Sequence, residues 1–440
     1  MKNTATEKET VTTHKGFMER LGPVEPDSYR SLCKAFLKWT VIAIVCGAFT
    51  GVVGAMFGKC LEFATEFRNE HRFVILFLPI AGLLLVFLYN SARMQDDRGT
   101  NTIILAAGGK AEVTFRTAPL IFAATFITHL CGGSAGREGA ALQIGGSLTA
   151  PLGRLLKLDK KDTSMLVMCG MSAGFSALFG TPAAAAVFAQ EVTVVGALQY
   201  SAMVPCMISA VTASVVAHAL GAEAESFIVS GAPVLDVSGL PQLGAVLVLG
   251  AVCAAVSVLF CETMHKAGGL YAKYIHNRYL RAAAGGVIIV ILTILLGTTD
   301  YNGAGMDVIK RAFVGEADPL AFLIKIIFTA LTLGCGFKGG EIVPSFFVGS
   351  TLGCTVGALL GLNPSFGAAV GLIAVFCGVT NCPLASLILS AELFGLAGMP
   401  FYAVAIAVSY MLSGYSGLYS AQKFYQSKFR PQRVKKQGGH

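Results

Sequence analysis

Charge is what this sequence has least of. Asp, Glu, Lys and Arg make up 13% of its 440 residues, about half the share of a soluble globular domain. That excludes a water-soluble body of this size. Clustered metal ligands are missing as well. The 12 cysteines are scattered through apolar stretches without paired spacing, so they read as reduced packing residues and no metal is assigned. No nucleotide fingerprint and no Ser/His/Asp set is present, which excludes a cofactor and an enzymatic reading. Residues 1–30 are polar, carry both charge signs and lack an apolar core, so no cleavable signal peptide is expected. A nucleic-acid footprint is excluded despite the net charge of +8. The basic residues gather at Arg430, Arg433, Lys435 and Lys436 and around Arg154, Lys157, Lys160 and Lys161. Such clusters mark the cytoplasmic side of a membrane protein, here both termini and the 154–161 loop.

What the chain does have is apolar length: 54% hydrophobic residues, 51 glycines and a mean hydropathy of +0.67. This composition predicts an all-α polytopic membrane protein, a transporter or channel in the lipid bilayer. Gly47, Gly51, Gly54 and Gly58 repeat at the small-residue spacing that lets membrane helices pack closely. Apolar spans are predicted from Trp39, Phe73, Thr114, Glu138, Ser164, Ala202, Leu243, Val287, Leu320, Ser345, Ala368, Pro383 and Tyr402. The piece Ile103–Ala107 is too short to cross. It is either a surface loop or a half-helix held inside protein.

The segment Gly132-Gly133-Ser134-Ala135-Gly136-Arg137-Glu138-Gly139-Ala140 sets two charges and its glycines between two apolar runs. An ionisable residue at membrane depth costs roughly 2.5–3.5 kcal/mol, so it normally lines an ion path. Glycines there let the backbone leave its helix and turn N–H groups toward an anion. A helix cap at the surface is the other reading of Arg137 and Glu138.

The pattern then recurs. Gly136-Arg137-Glu138, Pro182 and Glu191 are matched by Gly339-Gly340-Glu341, Pro383 and Glu392, each about 200 residues on. Gly145-Gly146-Ser147-Leu148 has its counterpart in Gly349-Ser350-Thr351-Leu352. Two repeats with glycine-broken segments at matching positions place a transport site at the repeat interface near the midplane. The predicted organisation is a cytoplasmic lead-in (1–33), a first membrane repeat (34–221), a connecting loop (222–242), a second repeat (243–424) and a basic tail (425–440).

These motifs, in this order, resemble the CLC family of anion channels and anion/proton antiporters over roughly Trp39 to Phe424. Gly136-Arg137-Glu138-Gly139-Ala140 resembles the family motif that carries a gating glutamate. Gly339-Gly340-Glu341-Ile342-Val343-Pro344 resembles its second anion-binding motif. Gly170 to Glu191 resembles the glycine-rich helix and turn after the gate, and Leu418-Tyr419-Ser420 the C-terminal helix whose tyrosine reaches the inner end of the path. Three departures resemble the bacterial fluoride/proton antiporter branch: Arg98-Gly99-Thr100-Asn101-Thr102 in place of the first anion motif, Val192 in place of an inner glutamate, and Glu341 itself. Ala140 and Val343 depart from that branch's usual threonines.

The resemblance implies two inverted repeats of tilted and broken helices, a homodimer with one pathway per subunit, and a bacterial plasma-membrane location. No large regulatory domain is expected after Tyr419. It implies fluoride export in exchange for protons; the alternative is a chloride/proton exchanger or chloride channel of the same fold. Glu138 would alternate between occupying the anion site and, once protonated, leaving it. Anion contacts would come from N–H groups of Gly136, Arg137 and Gly139 and of Gly340, Ile342 and Val343, and from the Tyr419 hydroxyl. Thr100 and Asn101 either join them or form a plain turn. Glu341 either caps a helix or bonds neighbouring N–H groups, or else it holds or hands on the proton. Glu191 and Glu392 read as structural carboxylates at the two-fold seam, and His129 as a packed helix residue.

Overall fold

The computed structural model describes residues 28–430 and 432–437. Most of the expected 1–33 lead-in lies outside the described residues. The chain divides into an N-terminal unit ending at Ile42 and a main unit from Ala43 onward. The described part of the first unit is the start of one helix.

That helix is α1, Tyr29–Glu70, and it begins ahead of the expected Trp39 because no breaker interrupts the run. A 3₁₀ turn, Arg72–Phe77, leads into α2, Leu78–Ser91. Then come α3 (Thr100–Ala107), α4 (Thr117–Leu130), α5 (Glu138–Leu155), α6 (Lys160–Phe179) and α7 (Pro182–Glu191). A two-residue strand β1 (Val194–Val195) precedes α8 (Met203–Ala219). The second half runs through α9 (Leu240–Tyr274), α10 (Arg278–Leu296), α11 (Met306–Phe313), α12 (Ala321–Gly334), α13 (Ile342–Leu359), α14 (Pro364–Thr380), α15 (Pro383–Phe394) and α16 (Met399–Leu412). It closes with β2 (Lys423–Gln426) and β3 (Arg433–Gln437). Among the described residues seven helices are long and apolar enough to cross a membrane.

The two halves repeat each other in length as well as in motif. α3 and α11 have 8 residues each, α4 and α12 have 14, α5 and α13 have 18. α6 is capped at its start by Asp159, which accepts from Asp162 N, and ends on Gly180 at φ 69°. α14 is capped by Asn363, which accepts from Ser365 N, and ends on Asn381 at φ 58°. Both ends use a left-handed residue to stop the helix, and a proline just beyond it starts the next one.

Glycines set the close crossings. A Cβ on Gly145 would overlap the Gly170 carbonyl, and one on Gly349 the Gly371 carbonyl, so α5 meets α6 as α13 meets α14. Gly47 and Gly51 of α1 face Ser209 and Ala213 of α8, and Gly54 and Gly58 face Ala177 and Leu178 of α6, which accounts for their spacing.

One open expectation is decided and another changes. The short piece at Ile103–Ala107 is the half-helix held inside protein: it is part of α3, with Ile103 fully buried and Ala107 1% exposed, held against α5 and α6. The C-terminal segment is not the expected helix. Gly414, at φ 59°, and Gly417 break the chain, so Tyr419 lies in a turn. From that turn the chain enters a three-stranded sheet, in which β2 pairs parallel to β1 and antiparallel to β3.

Candidate functional site

The two glycine-rich breaks meet face to face. Gly136 N donates to Gly340 O at 2.6 Å and Gly340 N to Gly136 O at 2.7 Å, a single antiparallel bridge between the repeats. A side chain is excluded on either strand: a Cβ on Gly136 would stand 2.8 Å from the Glu138 carboxylate, and one on Gly340 2.6 Å from Gly139 N. The 129–136 segment behind the bridge is fixed by hydrogen bonds from several elements. Arg68 Nη1 reaches His129 O at 2.8 Å, Asn302 Nδ2 reaches Gly132 O at 2.8 Å, and Thr332 Oγ1 accepts from Ser134 N at 3.1 Å. His129 is 2% exposed with Nε2 against Gly136 O at 3.3 Å, the packed role expected of it.

Beyond the bridge, α5 and α13 begin side by side, with their N-terminal N–H groups converging. Glu138 turns back into that convergence. Its Oε2 accepts from Arg137 N at 3.0 Å and from Val343 N at 3.3 Å, one donor from each repeat. The side chain is fully buried. A carboxylate oxygen thus occupies the position that an anion attracted by two helix N-termini takes. Ile342, the first residue of α13, is fully buried beside it.

The other predicted residues fall around this centre. Gly139 O accepts from Gln143 Nε2 at 3.1 Å and from Thr100 Oγ1 at 3.4 Å, while Thr100 Oγ1 accepts from Gln143 Nε2 at 3.3 Å. The start of α3 is thereby tied to the first turns of α5. Asn101 is spent differently: its Oδ1 accepts from Ala421 N at 2.9 Å, which joins α3 to the Tyr419 turn. Tyr419 is 1% exposed and its hydroxyl has no partner. Glu341 stands at the N-cap position of α13, yet its side chain makes no capping bond, so the cap reading does not hold. Val192 is fully buried.

Buried polar atoms are almost always hydrogen-bonded, and unpaired ones mark sites where something else is bound at times. Among the described residues thirteen side-chain atoms are buried without a hydrogen-bond partner, and four of them, Arg137 Nε, Glu138 Oε1, Gln143 Oε1 and Tyr419 Oη, belong to residues of this site. Gln143 does not stand out in the sequence; an amide one turn past a glycine motif has no signature of its own.

Residues 82–414 match the family model described as voltage gated chloride channel. The chain belongs to this family, the CLC proteins. A relative from Pseudomonas syringae pv. tomato, named chloride/fluoride channel protein, is 36% identical over 398 residues, 89% of this chain and 87% of the relative. A crystal structure of a CLC-type fluoride/proton antiporter superposes with a TM-score of 0.85 at 33% identity, covering 91% of this chain and 100% of that one. A slow cyanobacterial Cl⁻/H⁺ antiporter shares the fold, with a TM-score of 0.72 at 19% identity over 85% of this chain and 94% of that one. The inverted-repeat CLC architecture, the multi-pass membrane character and the non-enzymatic reading expected from the sequence hold.

Proposed function

We propose that the protein is a secondary active halide/proton antiporter with fluoride as its preferred anion. The observation that carries exchange is the Glu138 carboxylate on N–H groups of both repeats. Charged, it competes with the anion for those donors. Protonated, it loses that attraction, swings away, and takes its proton with it, so anion and proton movements are tied. The Tyr419 hydroxyl then offers the entering ion a donor that no protein group satisfies. Glu341, uncapped at the head of α13 beside Lys338, hands on the proton where Val192 leaves no inner acid.

The choice of anion rests on less than the coupling does. Fluoride is supported by Thr100 in place of the usual first anion motif, by Glu341, and by the likeness to the fluoride/proton antiporter structure. Chloride, through an exchanger or a channel of this fold, is the second reading. The name of the family model favours it, and the relative's name gives chloride beside fluoride, so a halide carrier of this fold is supported more broadly than fluoride itself. The homodimer, the seam formed by the later helices of each repeat, and the cytoplasmic placement of the termini in a bacterial plasma membrane belong to the same proposal.

Efflux from liposomes loaded with fluoride or chloride, with external pH recorded, tests it. The expected result is fluoride leaving much faster than chloride while protons move the other way. Equal or faster chloride efflux removes the fluoride preference, and anion flow without proton movement removes exchange.

A further inference from the structure

Arg137 has three carboxylates within ion-pair range, at unequal distances. Nη2 donates to Glu225 Oε1 at 2.6 Å. Nε stands 3.5 Å from Glu138 Oε1, and Nη1 4.0 Å from Glu62 Oε1 on α1. The contact with Glu138 is not a hydrogen bond: Nε and Oε1 are both buried and both without a partner. An arginine beside a buried carboxylate normally closes on it with charge-assisted bonds near 2.7–2.9 Å. Here the guanidinium is drawn the other way, toward Glu225.

Glu225 sits where the chain tethers it. It belongs to the connector between the repeats, which is laced to both of them. Glu225 N donates to Phe179 O at 3.1 Å, at the end of α6. Phe227 N donates to Leu393 O at 3.0 Å, on α15, and the Phe227 ring stacks on Phe313 of α11 with centroids 4.6 Å apart. Ser230 N donates to Ser365 Oγ at 3.0 Å, on α14. Glu225 is therefore held in place, and at 18% side-chain exposure it still touches solvent.

We propose that Glu225 is a positioning residue for the gate: by holding Arg137 it keeps the guanidinium from closing on Glu138, and so sets the pH range in which Glu138 is released from the anion site. The inference rests on the reading of Glu138 as the gate. Without the Glu225 carboxylate the arginine is free to pair with Oε1. The charged, site-occupying form of Glu138 is then favoured, and a lower pH is needed to protonate it. Lys59, Glu62 and Arg68 on α1, Glu223 on the connector, His129 on α4, Lys325 on α12, Glu341 and Lys338 at the head of α13, and Tyr419 are other charged or titratable groups of this region. Of the carboxylates among these, Glu62 comes within 4.0 Å of the guanidinium, with its side chain 58% exposed.

The test is the pH profile of coupled exchange in proteoliposomes for Glu225→Gln and Glu225→Asp, with Glu138→Gln run in parallel. An opposite charge near a carboxylate moves its titration by one to three units, so the acid limb for Glu225→Gln should move down by about one pH unit, about tenfold in rate on that limb. Glu225→Asp keeps the charge but shortens the reach, and should move the limb part of the way. In an Arg137→Gln background, Glu225→Gln should add no shift. A well-folded Glu225→Gln protein whose profile superimposes on the wild type overturns the proposal, as does an equal shift in both backgrounds. If Glu138→Gln still drives coupled exchange, the gate reading fails and this inference with it. If Glu138→Gln uncouples while Glu225→Gln moves nothing, the inference alone fails.

Discussion

Glu138 holds the site with a single oxygen, and that geometry fixes what its amide should do. Glu138→Gln keeps an oxygen for Arg137 N and Val343 N but cannot titrate. Proton movement driven by a fluoride gradient should fall below detection in pH-monitored liposomes, and a mutant that still pumps protons uphill would exclude the gate role. Glu341 is expected to separate chemistry from folding. Because its side chain caps nothing, Glu341→Gln should elute normally on size exclusion and shift stability by no more than about 0.5 kcal/mol, yet lose or uncouple exchange. Unchanged coupled exchange in that folded protein takes Glu341 out of the mechanism. The residues legible in the sequence were those with a physical reason to be glycine or charged at membrane depth: Gly136, Glu138, Gly340. Glu225 was not legible, since an acid 88 residues from its arginine carries no local pattern. Only the folded connector brings them together.

At the scale of elements, apolar runs between glycine and proline breaks marked the starts of α5 at Glu138 and of α15 at Pro383, and most of the other starts within a few residues. The two failures have different causes. α11 was missed because its apolar residues alternate with Asp307, Lys310 and Arg311, which breaks the hydrophobic run without breaking the helix. The turn at Tyr419 was taken for helix on resemblance alone, against Gly414 and Gly417. α7 and α15 carry the prediction that belongs here. Glu191, at the end of α7, accepts from Leu384 N at 3.1 Å and Ala385 N at 2.8 Å, at the start of α15. Glu392, in the last turn of α15, accepts from Ala183 N and Ala184 N, both at 2.9 Å, at the start of α7. Each proline-started helix is capped by the other repeat. A lost cap costs about 0.5–2 kcal/mol, so Glu191→Gln and Glu392→Gln should each lower the apparent melting temperature in detergent, and an unmoved transition would deny the caps that role.

The whole molecule is two copies of one plan joined at the Gly136–Gly340 bridge and at the exchanged carboxylates. That plan was readable from the sequence because the repeat spacing survives in motifs that backbone geometry demands. The partner of the whole subunit was not, since lipid and a second copy accept the same apolar face. The proposed homodimer predicts twice the 45.9 kDa chain mass by light scattering in detergent, and a single-chain mass would remove the seam. The exchanged caps also have a consequence in time. Ala184 waits for an acid 208 residues further along the chain, about 10–40 s of ribosome travel at roughly 5–20 residues per second. Throughout that interval the first half sits in the bilayer with a helix end it cannot finish. The nascent protein therefore cannot reach its mature form before Glu392 has been made, and a ribosome stalled short of that residue leaves the start of α7 without its cap.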